Sequence, residues 1–133
     1  MPRDSTDEPT DEPTDEPTLP WSRGAWAVVE CGAGWWPLVR ALNDDLRALS
    51  PGYQVSQVKE KFGTLRFYAG TPDGTEAAVN EAVQARITAA EQLSAVTCER
   101  CGAPGSTRGG AWIRTLCDLH QADAEQRKFP WTT

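Results

Sequence analysis

The stretch that decides how this chain folds runs from residue 98 to 120. It opens as Cys98-Glu-Arg-Cys-Gly-Ala-Pro-Gly105. After the pair Gly109-Gly110 it closes as Ala111-Trp-Ile-Arg-Thr-Leu-Cys-Asp-Leu-His120. Cys98-x-x-Cys101 and Cys117-x-x-His120 are thus separated by fifteen residues. Zinc takes four soft or borderline donors in a tetrahedron. Cys-x-x-Cys followed by Gly102 makes a knuckle, a tight turn that aims two thiolates at one point. Residues 111–115 then predict a strand returning towards the metal, and residues 116–127 have helical composition. Cys117 and His120, three apart in the first turn of that helix, face one side. Knuckle, hairpin and helix, in that order, predict a treble-clef or zinc-ribbon-like module closed on one structural Zn2+.

The competing readings of the same residues fare less well. A redox Cys-x-x-Cys belongs at a strand-to-helix junction in a βαβ unit, whereas this one follows a long helical segment. Catalytic zinc keeps an open position for water, and here four protein donors are supplied. Metal-dependent nucleases built on a similar module need a second His as general base. His120 is the only His in the chain. No catalytic residue is therefore predicted, and the chain reads as a non-enzyme.

Working outward, the preceding segment has helical periodicity over residues 75–94, with Val79, Ala82, Val83, Ile87, Ala90 and Leu93 on one face. Asp73 and Glu76 stand three apart, as in a capping box. Residues 53–58 and 64–68 read as two strands joined through Lys59-Glu-Lys-Phe-Gly63, where Gly63 supplies a positive φ. Residues 25–30 read as a short buried strand. Trp35, Leu38, Val39, Leu42, Leu46 and Leu49 give a helix one apolar face, with Pro37 in its first turn and Ser50-Pro51-Gly52 ending it. The fold class is α+β: a β-α-β-β-α body over residues 21–95, the metal module over 96–128, and a short C-terminal tail over 129–133.

Residues 1–20 are different in kind. Asp-Glu-Pro-Thr occurs three times in residues 7–18. With no apolar residue in the repeat and with repelling charges, this segment is expected to be a disordered acidic tail. It reads as solubilising, or as an arm for a basic partner, and its Thr residues offer phosphorylation sites. The net charge of −6 lies wholly in residues 1–20, so residues 21–133 balance to zero. The body has no global field for nucleic acid, and any such binding needs a local basic patch. No run approaches the roughly 18 apolar residues of a membrane span, and the N-terminus lacks the apolar stretch of a secretory signal. A cytoplasmic location is expected, where paired cysteines read as metal ligands rather than disulfides.

Two constellations carry weaker signals. Val28-Val-Glu-Cys-Gly-Ala-Gly34 resembles a nucleotide-binding strand and turn, but the third Gly falls at Trp36 or Pro37. It reads as strand, Gly turn and helix start, with Cys31 a small buried apolar residue. Lys59, Lys61 and Arg66 interleave with Phe62, Phe67 and Tyr68. Such a pattern can hold phosphates and stack bases, or it is simply a core face plus a solvated face. Alternation places Leu65 and Phe67 on one face and Arg66 and Tyr68 on the other, while Glu60 dilutes the charge. Arg100, Arg108 and Arg114 add cations within the module. Trp112 and Trp131 are either core or interface. Asp44-Asp45 falls on the polar face of the first helix and reads as solvated.

Three runs carry a family resemblance: Gly34-Trp-Trp-Pro-Leu38, Gln57-Val-Lys-Glu-Lys-Phe-Gly-Thr-Leu-Arg-Phe-Tyr68, and the Cys98–His120 stretch. Together they resemble a group of short proteins from bacteriophages and bacterial genomes, over roughly residues 30–122. The resemblance implies a phage or prophage setting and a zinc site at the four positions above, and it carries no catalytic residue. The functional expectation is a small zinc-stabilised protein that binds and modulates a protein partner in the host cytoplasm. No small-molecule substrate or membrane partner is expected. The alternative is a nucleic-acid-binding accessory factor using Lys59, Lys61, Arg66, Tyr68, Arg108 and Arg114.

Overall fold

The structure, a computed structural model, describes residues 15–22, 27–110 and 112–128. In chain order the elements are β1 (Val29–Glu30), a 3-10 turn (Ala33–Trp35), α1 (Trp36–Leu49), β2 (Gln54–Lys61), β3 (Thr64–Gly70), α2 (Ala77–Ser94), β4 (Ser106–Arg108), β5 (Arg114–Leu116) and α3 (Asp118–Lys128). This is a mixed α+β fold with two small sheets among the described residues: β1-β2-β3, and the two-stranded β4-β5.

Helix α1 forms where the apolar spacing predicts it. Pro37 sits at its start, Val39, Leu42 and Leu46 are buried, and the Ser50 N–H closes the last turn on the Leu46 carbonyl. The buried face of the larger sheet is Val29, Val55, Val58, Leu65 and Phe67. It meets α1 and α2 in a core completed by Trp35, Tyr53, Val83, Ile87 and Leu19.

The β2–β3 connection is tighter than the spacing predicts. Strand β2 continues through Lys59, Glu60 and Lys61, pairing Lys59 with Arg66 and Lys61 with Thr64. The loop is only Phe62-Gly63, with φ of 55° and 85°. Two consecutive positive φ values define the hairpin turn whose twist matches that of its strands. Gly63 is suited to this, and Phe62 adopts it against the usual steric preference. The Glu60 carboxylate accepts the Gly63 N–H at 2.8 Å.

Three expectations change. The first strand is only the pair Val29–Glu30, parallel to β2; residues 25–26 lie outside the described residues. The Asp73/Glu76 capping box does not form: Glu76 is the N-cap with no side-chain bond, and α2 starts at Ala77. Instead Asn80 donates to the Thr75 carbonyl at 3.3 Å and bonds the Thr71 hydroxyl, while Thr75 Oγ1 donates to the Pro72 carbonyl at 2.6 Å. Finally, residues 15–20, assigned above to the acidic tail, lie against the body. Pro17 and Leu19 are buried. Val55 N–H donates to the Pro20 carbonyl at 2.8 Å, and Arg40 donates to the Asp15 carbonyl. Leu19 supplies the apolar anchor that the repeat lacks. The tail's first fourteen residues and residues 129–133, with Trp131, lie outside the described residues.

Both outer strands of the larger sheet have backbone donors closed by side chains. On β3, Leu65 N–H donates to Ser94 Oγ at 2.8 Å and Phe67 N–H to Glu91 Oε2 at 3.1 Å. On β1, Val29 N–H donates to Glu16 Oε2 at 2.8 Å. Open edges template pairing with other chains, and covering them is a usual protection. Ser94 is fully buried, so Ser94→Ala leaves the Leu65 N–H with no acceptor. It should cost about 1–3 kcal/mol, read as a lower urea midpoint at an unchanged m value.

Candidate metal centre

The four predicted donors converge. Cys98 Sγ, Cys101 Sγ, Cys117 Sγ and one ring nitrogen of His120 all lie within 4.8 Å of one another. Cys101 and Cys117 sulfurs are 3.8 Å apart. His120 Nδ1 is 3.6 Å from Cys98 Sγ and 3.3 Å from Cys117 Sγ. A tetrahedron with metal–sulfur bonds of about 2.3 Å and metal–nitrogen bonds of about 2.0–2.1 Å has edges of about 3.8 Å and about 3.6 Å. These three distances lie near such edges, and the four donor atoms are close enough together to hold one metal ion.

Local structure explains the convergence. Cys98 N–H donates to the Ala103 carbonyl at 2.7 Å and Gly102 N–H to the Cys98 carbonyl at 2.8 Å, which closes the knuckle. Gly102 takes a φ of 84°. The β4–β5 hairpin pairs Ser106 with Leu116 and Arg108 with Arg114, which returns Cys117 beneath the knuckle. Cys117 lies just before α3, and His120 N–H points back at its sulfur at 3.5 Å. The helix thus begins at Asp118, two residues later than its composition predicts.

The electrostatics suit a cation. Burial raises the Cys98 thiol, but backbone amides of Cys117, Cys101 and Arg100 outweigh it and bring Cys98 down to about 6. Cys101 moves the other way. The Ala103 amide favours its thiolate, but desolvation and the sulfurs of Cys98 and Cys117 together push it up. A second thiolate beside the first is thus disfavoured until a positive ion shares them.

A residue outside the four-donor cluster holds this centre to the body. Glu99, inside the knuckle, is only 4% exposed. Its Oε2 accepts the Gly32 N–H at 2.8 Å and its carbonyl accepts the Gly34 N–H at 2.8 Å. Its own N–H donates to the Thr115 carbonyl at 3.0 Å, and Arg114 pairs with its carboxylate at 3.5 Å. The contact is backbone on backbone. A Cβ at Gly34 would sit 2.4 Å from the Cys98 carbonyl oxygen, and one at Gly32 would sit 2.5 Å from that of Glu99. Trp35 Nε1 donates to the Thr97 carbonyl at 2.8 Å beside this seam. The Cys-Gly-Ala-Gly run is therefore a docking seam for the knuckle. Spacing alone marked it as a turn, since Gly32 and Glu99 are 67 positions apart.

The other singled-out residues separate into two groups. Arg108 donates to the Leu116 carbonyl and pairs with Asp118 at 2.9 Å, and Arg114 is bound to Glu99, so both serve the module internally. Lys59, Arg66 and Tyr68 lie together on the outer face of the larger sheet, with Lys61 at its end. Cys31 is half-buried against the core, and burial first, then Glu99, Glu16 and Glu60, raises its thiol to about 12, so it stays protonated. Among the described residues no helix is long and apolar enough to cross a membrane.

Fold and site together define a small α+β protein carrying a Cys3His metal-binding cluster. No family model, no curated protein and no solved structure matches this chain.

Gly34→Ala should destabilise the chain by about 3 kcal/mol, because the added carbon meets backbone atoms that cannot rotate away. Ala33→Ser, at the exposed position between the two glycines, should leave the urea midpoint within about 0.5 kcal/mol.

Proposed function

We propose that the chain is a small zinc-stabilised interaction protein, without catalysis of its own, whose C-terminal part is a treble-clef module closed on one structural zinc ion. The observation that carries this is the gathering of three sulfurs and one imidazole nitrogen within 4.8 Å of one another, which provides a complete donor set. Thiolate and imidazole donors in such a geometry favour zinc over the hard cations that select oxygen. Using the chain's single His as the fourth donor supports a structural ion, because it leaves no imidazole for acid–base work. We propose a phage-encoded setting as well, on the Gly34–Leu38, Gln57–Tyr68 and Cys98–His120 runs of the sequence alone.

The surfaces support a protein partner. Trp112 and Leu119, on either side of β5, are 75% and 74% exposed. Aromatic side chains are enriched among the residues that dominate interface energies. A scaffold whose knuckle, hairpin and helix are fixed by a metal presents such residues at little ordering cost.

Purified protein should carry one equivalent of zinc, and cobalt substitution should give the intense red-region bands of a tetrahedral thiolate site. Cys117→Ser should lose the metal and most of the module's amide protection. A folded, metal-free protein from zinc-replete cells would refute the zinc assignment. For the interaction, Trp112→Ser with Leu119→Ser should abolish co-purification of a host or phage protein while zinc content and urea midpoint are retained. A truncation testing the tail should remove residues 1–14 and keep the packed residues 15–20.

A further inference from the structure

The larger sheet buries one face only. Its other face carries three rows: Gln57 with Tyr68, Glu30 with Lys59 and Arg66, and Lys61 with Thr64. None of these residues is buried. Lys59 and Arg66 are direct cross-strand partners, and like charges in that position are destabilising. No ion pair relieves either of them among the described residues, and Arg66 Nε is buried with no hydrogen-bond partner. Glu60, which would have diluted the charge, is turned to the opposite face and holds the hairpin loop through Gly63.

Tyr68 follows Arg66 by two positions on the same strand and face, about 7 Å away, and is 45% exposed. Beyond the Lys61–Thr64 row, Phe62 stands at the loop tip, 63% exposed, with the Lys61 ammonium 5.5 Å from its ring centre. An aromatic residue held at a φ of 55° and projecting into solvent contributes little to the core, and strain of this kind clusters at functional positions.

We propose that this outer sheet face binds single-stranded nucleic acid, with Tyr68 stacking on a base and the Lys59–Arg66 pair holding the adjacent phosphate. A shared phosphate relieves the like-charge pair, and Arg66 is a planar fork suited to phosphate oxygens. A ring and a cation pair one strand-repeat apart match the alternation of base and phosphate along an unpaired strand. A duplex hides its base faces, and an acidic peptide would use the cations but not the ring. Glu30, at the far end of the charged row, opposes the phosphate and sets the binding towards the β3 side. This site lies on the larger sheet, whereas Trp112 and Leu119 belong to the module, so it stands independently of the protein-binding reading.

The test is fluorescence anisotropy of short labelled oligo(dT) and oligo(U) with full-length, zinc-loaded protein, at about 50 mM and about 200 mM salt. Zinc content and circular dichroism check each variant's fold. Binding should fall about tenfold or more in Tyr68→Ala. In Lys59→Gln/Arg66→Gln it should fall at least as far, with the salt slope reduced by about 1–2. Glu30→Gln should strengthen it, and Arg47→Gln, on exposed α1, should leave it unchanged. Relative affinity for oligo(dT) and oligo(U) separates DNA from RNA as the preferred strand. Absence of binding at the lower salt would overturn the proposal. So would equal affinity for duplex DNA, or equal binding of heparin or polyglutamate that Tyr68→Ala does not change, since those results leave only attraction of a polyanion or an acidic peptide.

Discussion

Everything in this chain meets at Glu99. Its backbone is part of the turn that presents Cys98 and Cys101, so its position is tied to that of the cluster. Its carboxylate and carbonyl receive the Gly32 and Gly34 amides, so the same residue also sets the start of α1 and the depth of Trp35. A buried carboxylate without partners is strongly disfavoured. The Gly32 N–H and the Arg114 guanidinium answer that penalty at the carboxylate, while the Gly34 N–H satisfies the Glu99 carbonyl, only when the knuckle is seated on the glycine seam. The metal-binding module and the helical body are thus tied by a contact that exists when both are formed.

A second tie runs through the hairpins. Thr115, fully buried, donates its hydroxyl to the Gly63 carbonyl and shares a hydrogen bond with Thr107 at 2.9 Å. With the Thr115 proton spent on Gly63, Thr107 is the donor of that shared bond, and its oxygen lies 3.3 Å from the Ala95 carbonyl just past the end of α2. The tip of the β2–β3 hairpin is therefore set against the β4–β5 hairpin. A body of this size buries a modest fraction of its surface, and a module fastened to it at two seams adds contacts that its own core does not supply. The sheet is also kept to three strands, because Ser94, Glu91 and Glu16 occupy donors at its outer strands. The large side chains Tyr68, Phe62 and Trp112 accordingly stand exposed on a sheet face and in loops.

Much of this was legible from local pattern. Helix α1 and helix α2 follow the 3.6-residue spacing of Val39, Leu42, Leu46 and of Val83, Ile87, and the α+β class followed from the order of those patterns. The gathering of Cys98, Cys101, Cys117 and His120 was readable because metal-ligand chemistry restricts residue type and spacing sharply, and the chain has only one His to place in that pattern. Boundaries were less legible. Whether β2 stops at Val58 or runs to Lys61 depends on a turn that a bulky residue, Phe62, enters against its preference. The cap of α2 depended on whether Asp73, Glu76 or Asn80 would win the nearby backbone groups, and Asn80 reached them.

The sequence by itself determined the order of the main elements, the four Cys and His residues that gather and the concentration of acidic charge in residues 1–20, because each is written in neighbouring residues: periodicity, ligand spacing, composition. Only the tertiary structure decided what Gly32 and Gly34 are for, that Glu16 leaves the acidic repeat to close β1, and that Arg108 and Arg114 are spent inside the module while Lys59 and Arg66 make no ion pair among the described residues. Those assignments rest on approaches between residues tens of positions apart. A glycine demanded by a distant carbonyl, or a cation left without a carboxylate, has no local signature, and becomes visible only when packing brings the backbone of one half against the other.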